Sequence, residues 1–268
     1  MNATRRVLVG IALAVIGLGS VFEPVAFYMV ILAVGAVSLY ELARLCEIKG
    51  TPLEYQVAIP GVLAYILLSI FGLLSHWEGA LLASVVLVAF WLGMYGEQQG
   101  YFARTAYTLL AVLYIGKLLT YFIFIRQVPL MGLYWTLYVI VLIALTDILA
   151  MLVGSFIGRT SLTKISPKKT VEGSLGALVL VTAIGALLGT TPYLGMQWWQ
   201  GAALGAVTCL AAQAGDLVES ALKRDAGVKD SGTVIQGHGG VLDRFDSYLF
   251  GGMAFYGMLH IIGLLPFA

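Results

Sequence analysis

Residues 215–247 read GDLVESALKRDAGVKDSGTVIQGHGGVLDRFDS and hold Asp216, Glu219, Asp225, Asp230, Asp243 and Asp246, six of the 14 acids in the chain. Lys223, Arg224, Lys229 and Arg244 lie among them. On a helix, Asp216, Glu219, Ser220 and Lys223 would fall at i, i+3, i+4 and i+7 and line one face. Asp243 and Asp246 repeat the i, i+3 spacing. Carboxylates gathered in this way repel one another unless cations lie between them. Mg²⁺ suits such a set, because it is a hard ion that takes oxygen ligands, one or two carboxylates, and phosphates to complete its shell. A solvated, salt-bridged helix end would present the same acids. The neighbouring Gly237-His238-Gly239-Gly240 supplies a tight turn, so poor in side chains that its backbone can approach a ligand. The chemistry implied is a metal-dependent site for phosphate groups.

His238 invites assignment as a general base. A phosphate monoester has its second pKa near ~6 and is already an anionic nucleophile at neutral pH, and phosphoryl-type transfer rests mainly on positioning and charge neutralisation. His238 is therefore read as a hydrogen-bonding or structural residue in preference to a base. A second polar stretch begins at Asp147, an ionisable residue within an apolar run, where charge is costly and points to function or a buried partner. It continues through Gly158-Arg159 to ISPKKTVEG at residues 165–173. Pro167 and the glycines favour a turn, Lys168 and Lys169 supply cations, and Ser166 and Thr170 supply hydroxyls.

The elements that must position these groups are membrane spans. The chain is 60% hydrophobic and 11% charged, against roughly 25% charged in soluble domains. Successive apolar windows reach the length of ~18 residues or more that crosses a bilayer. Hydropathy places about nine spans near 7–21, 25–42, 57–74, 80–95, 106–125, 133–157, 175–191, 199–217 with an onward extension, and 248–265. The expected fold is an all-α polytopic membrane protein, a single integral domain over 1–268 with N-terminal spans in 1–130 and the motifs in 131–268.

If alternate connections share a face, one face carries Arg5, Arg6, Arg44, Lys49, Arg104, Arg159, Lys164, Lys168, Lys169, Lys223, Arg224, Lys229 and Arg244. These are 13 of the 15 basic residues, leaving Lys117 and Arg126. The positive-inside bias then puts the N-terminus and the polar loops in the cytoplasm. A net charge of +1 argues against nucleic acid as a partner. Cys46 and Cys209 form no metal or disulfide pattern. Trp77, Trp135, Trp198 and Trp199, near expected span ends, read as interfacial anchors.

Ser220, Lys223-Arg224, Lys229-Asp230, His238-Gly239-Gly240 and Asp243-Arg244-x-Asp246 resemble the signature of the phosphatidate cytidylyltransferases (CDP-diacylglycerol synthases). The upstream run from Asp147 through Arg159 to residue 173 is similar to a second block of that family. Gln236 stands where the family pattern has proline, and Ile148 and Met151 where it has threonine and tyrosine. The resemblance covers the C-terminal half and implies that CTP and phosphatidate give CDP-diacylglycerol and pyrophosphate at the cytoplasmic face of the cell membrane. It implies Mg²⁺, a second cation such as K⁺, and a homodimer. Asp216, Asp243 and Asp246 would be metal ligands, with Glu219 and Asp147 as further candidates. Lys223, Arg224 and Arg244 would act on the phosphates in catalysis. Arg159, Ser166, Lys168, Lys169, Ser220, Lys229, His238, Gly239 and Gly240 would bind substrate. A CTP-dependent lipid kinase of the dolichol-kinase type, or an ion-coupled transporter using Asp147, would be the competing readings.

Overall fold

The computed structural model describes residues 15–95, 100–232 and 239–266. Among these the chain is helical almost throughout. Residues 15–20 are helical, and there follow α1 (Pro24–Ile48), α2 (Tyr55–Ile70), α3 (Leu74–Tyr95) and α4 (Tyr101–Ala111). A π-helical turn, Val112–Lys117, leads directly into α5 (Leu118–Gln127). Then come α6 (Gly132–Ile157), α7 (Val171–Gly189), α8 (Trp198–Asp225) and α9 (Leu242–Ile261). Six segments are long and apolar enough to cross a membrane: α1, α3, the continuous run Tyr101–Gln127, α6, α7 and α8. The expected third span is a helix of 16 residues with Pro60 inside it. The expected ninth belongs to α9, which has 20 residues but spends its first turns on Asp243, Arg244 and Asp246. Both fall outside the six, and most of the expected first span, near 7–21, lies outside the described residues.

The chain divides into two compact units. One comprises Met1–Phe124 and Leu222–Arg244, the other Ile125–Ala221 and Phe245–Ala268. The segment 222–244, expected among the C-terminal helices, thus packs with the N-terminal ones. In this first unit Glu23 caps α1, accepting from Ala26 N–H at 2.6 Å, and Pro24 opens the helix, where its missing N–H costs nothing. Lys117, in the π turn, forms an ion pair with Glu78 of α3 and lies over the Tyr121 ring, 5.3 Å from its centroid.

In the second unit α7 and α8 approach through glycine. A Cβ on Gly201 would sit 2.4 Å from the Gly185 carbonyl oxygen, and one on Gly205 would sit 2.7 Å from that of Val181. Gly185 and Gly189 on α7 meet Gly201 and Gly205 on α8, two GxxxG spacings face to face, which is how helices in lipid gain close van der Waals contact. Tyr138 of α6 donates its hydroxyl to the Gly185 carbonyl at 2.8 Å and lies 3.2 Å from that of Gly201. Trp77, Trp198 and Trp199 are exposed, as anchors would be, but Trp135 is 4% exposed. It packs into the core of its unit, so interfacial anchoring is not its role. Both cysteines are buried and unpaired with each other.

Candidate functional site

The turn before α7 is built first by local chemistry. Thr170 caps α7, its Oγ1 accepting from Gly173 N–H at 3.1 Å, the hydroxyl cap that orphan N–H groups at a helix start require. Glu172 reaches back to accept from Arg159 N–H at 3.1 Å and Thr160 N–H at 3.2 Å. A single bridge pairs Ser161 with Thr170. The basic stretch is therefore held at both ends. Arg159 and Lys168 are exposed, while Ser166 and Lys169 are half-buried.

Lys169 forms an ion pair with Asp216 of α8. Ser220, one turn later, donates to Asp216 Oδ1 at 3.4 Å. Gly215 lets α9 come close, since a Cβ there would lie 2.5 Å from the Asp246 carbonyl oxygen. That crossing sets Asp246 beside Asp216. Asp246 is 6% exposed and lies before the stretch expected to enter the membrane. Burial, then the Asp216 carboxylate, push its pKa from the ordinary 3.8 up to about 7; Asp147 adds to the rise, while the Ser247 N–H and Lys169 oppose it. Ser247 N–H donates to Asp246 Oδ1 at 2.6 Å, and the Ser247 hydroxyl donates to Asp147 Oδ1 at 3.4 Å. Asp147, Lys169, Asp216, Ser220 and Asp246 are thus gathered from three helices and a loop. The two polar stretches separated in sequence meet here.

Further residues assemble in the other unit. Lys223 donates to Asp243 Oδ1 at 2.5 Å. Asp243 Oδ2 accepts from Gly240 N–H at 2.7 Å and from the N–H and hydroxyl of Ser231, each at 3.0 Å. Gly239 has φ +83, and a Cβ there would lie 2.7 Å from Asp243 Oδ2. Arg224 is exposed and donates to the Val228 carbonyl at 3.2 Å. Lys229 and Arg244 are exposed, and Glu219 is fully buried. His238 and Gln236 lie outside the described residues. Asp225, at the end of α8, pairs with Lys49, which also donates to the Tyr107 hydroxyl at 2.5 Å.

One residue escaped the sequence reading. Glu41 of α1 is 0% exposed, and its carboxylate accepts from Val241 and Leu242 N–H at 3.0 and 2.8 Å. The available signal was an ionisable residue within an apolar run, the same signal that singled out Asp147.

Among the described residues no three His, Cys, Asp or Glu side chains form a ready metal cage. The donors present are nevertheless hard oxygens, and Mg²⁺ needs only one or two carboxylates with water and phosphate oxygens. The mutual repulsion that raises Asp246 next to Asp216 is what a cation would relieve.

Six apolar helices and an acid–base cluster built from helix ends define a multi-pass membrane protein with a localised site for a charged ligand. Residues 3–262 match the family described as the cytidylyltransferase family. The chain belongs to that family and is a nucleotidyltransferase. It is 35% identical over 263 residues to the phosphatidate cytidylyltransferase of Bacillus subtilis, covering 93% of this chain and 95% of that protein. The enzyme of the same name from Staphylococcus aureus is 33% identical over 221 residues, 80% of this chain and 84% of the relative. That from Synechocystis sp. is 47% identical over 140 residues, 50% of this chain and 45% of the relative.

Proposed function

We propose that this chain transfers the cytidylyl group of CTP to phosphatidate, giving CDP-diacylglycerol and pyrophosphate. A phosphate oxygen of phosphatidate attacks the α-phosphorus of CTP, and the bond from that phosphorus to the bridging oxygen breaks as pyrophosphate leaves. The observation that carries the reading is the buried Asp246 carboxylate set beside Asp216, with Lys169 paired to the latter. Asp216 and Asp246 would hold Mg²⁺, with Asp147 beside them. When bound, the ion would neutralise charge on the phosphates.

The remaining residues divide by what they can reach. Lys169 can exchange Asp216 for a substrate phosphate, and Lys168 and Arg159 offer exposed cations on the same loop. Lys223, Arg224, Lys229 and Arg244 supply a second group of cations, and Ser220 and Ser166 supply hydroxyls. Asp243 has its Oδ2 taken by three donors, so it is assigned to holding its loop, and its Oδ1 to orienting Lys223. Because phosphatidate is anionic at neutral pH, no side chain needs to act as its base.

The cytoplasmic side of the cell membrane is the proposed location, on the count of 13 of 15 basic residues assigned to one face. A diacyl lipid can bring its headgroup there without leaving the bilayer. The resemblance further suggests a homodimer, which a detergent-corrected mass would check. Purified protein with Mg²⁺, CTP and phosphatidate should form CDP-lipid and pyrophosphate in equal amounts, with dependence on K⁺ tested alongside. CDP and a phosphorylated lipid alcohol as products would instead identify a kinase.

A further inference from the structure

Glu41 stands 200 and 201 positions before the two backbone groups that it binds. Its Oε1 accepts from Val241 N–H and its Oε2 from Leu242 N–H, and the Ser231 hydroxyl lies 3.4 Å from Oε2. These N–H groups begin α9, where no earlier turn of helix can satisfy them and where the helix dipole favours negative charge. A carboxylate from a distant helix therefore caps α9. The fit depends on small neighbours: a Cβ on Gly240 would lie 2.5 Å from Glu41 Oε2, and one on Gly232 would lie 2.5 Å from Oε1.

The next N–H in the same turn, that of Gly240, is taken by Asp243 Oδ2 at 2.7 Å. Three successive N–H groups are thus committed to protein carboxylates. A helix N-terminus of this kind would ordinarily be a ready place for a phosphate; here Glu41 and Asp243 already occupy it. The phosphates of a nucleotide are left to side-chain cations, of which Lys223 is held by the same Asp243.

We propose that Glu41 is a positioning residue, which closes the start of α9 to phosphate and fixes Ser231, Gly240 and Asp243 so that Lys223 is aimed at the nucleotide. This rests on the CTP-dependent reaction proposed above. Its effect should fall on CTP and not on the lipid substrate. A merely structural role would disturb both alike.

The test uses full-length protein in detergent and the variant E41Q, whose side-chain NH₂ must face one of the two N–H donors and so loses half of the cap. KM for CTP should rise about tenfold, with KM for phosphatidate within about twofold of wild type. Hydrogen exchange should quicken at residues 240–244 and stay as in wild type over Val171–Gly189. G240A, which keeps Glu41 but crowds its carboxylate, should shift the same quantities and stands in if E41Q does not fold. Unchanged kinetics, an equal rise in both KM values, or exchange quickened evenly along the chain would each overturn the proposal. If wild-type protein makes no CDP-lipid, the proposed reaction fails by itself. Exchange at 240–244 in E41Q then still decides whether the clasp exists, and no change there would overturn it.

Discussion

Replacing Asp246 by asparagine should stabilise the metal-free protein at alkaline pH while abolishing turnover. Burial, and then the charge of Asp216, raise the Asp246 pKa from 3.8 to about 7, whereas in the unfolded chain the group titrates near its ordinary value. Between those two values the folded protein holds a proton that the unfolded chain has released. Stability therefore falls as pH rises from about 4 to about 7 and is level above. About three pH units at ~1.36 kcal/mol each set a ceiling of about 4 kcal/mol on that loss.

Asparagine keeps an oxygen to accept the Ser247 N–H, now 2.6 Å from Asp246 Oδ1, and carries no charge to bury. With local relaxation taking roughly half of the ceiling, D246N should gain about 2 kcal/mol at pH 8, or ~4–8 °C in thermal midpoint. The gain should shrink towards zero at pH 4. Thermal unfolding in detergent with EDTA, at both pH values, reads this directly. Adding Mg²⁺ at pH 8 should raise the wild-type midpoint and leave the variant's unmoved. A variant no more stable than wild type at pH 8, or equally stabilised at pH 4, would refute the reasoning. Near-normal CDP-lipid formation by D246N would remove Asp246 from the metal site.

The other expectations concern the loop and the helix contacts. K168A should raise KM for CTP several-fold while changing kcat little, since Lys168 is exposed and only clamps; a fall in kcat alone would contradict this. K169A also strips Asp216 of its ion-pair partner, so it should lower kcat as well as raise KM, and steady-state kinetics on the two variants separate the roles. T170A removes the cap of α7 and should cost about 1 kcal/mol. Faster tryptic cleavage after Arg159 and Lys164 would report it, and an unchanged rate would not fit. G201L drives a side chain into the Gly185 carbonyl, 2.4 Å from where its Cβ would lie, and should cost about 3 kcal/mol or more; an unshifted thermal midpoint would show that α7 and α8 do not need that contact.

Helical class and the polar stretches that supply the cluster were legible because each rests on a local signal. Apolar runs of spanning length are visible one at a time, and Asp216, Ser220 and Asp246 stand out against them. That Asp147 and Lys169 join Asp216 and Asp246 was not legible, because it depends on Gly215 admitting α9 to within contact of α8. A glycine in a glycine-rich chain carries no mark of which neighbour it admits. Trp135 shows the converse limit. Placed near a span end it matches an interfacial anchor, and only packing shows it in the core.

Glu41 is the residue whose meaning most depended on structure. Hydropathy counts it as one acid near the end of the span at 25–42 and has no means of saying what it binds. Once its carboxylate is seen on Val241 and Leu242, the assignments of its neighbours change. Asp243, by its i, i+3 spacing from Asp246, reads as a second ligand of the same kind. Its Oδ2 accepts from Gly240 N–H in the turn that Glu41 also binds, and its Oδ1 accepts from Lys223. Lys49, eight residues after Glu41, pairs with Asp225, so α1 grips residues 222–244 at two separate points. The N-terminal helices, which fall within the family match over residues 3–262, thus hold the start of α9. A chimaera that exchanged α1 for an unrelated apolar span of equal length would keep the membrane fold and lose the Glu41 contacts with Val241 and Leu242.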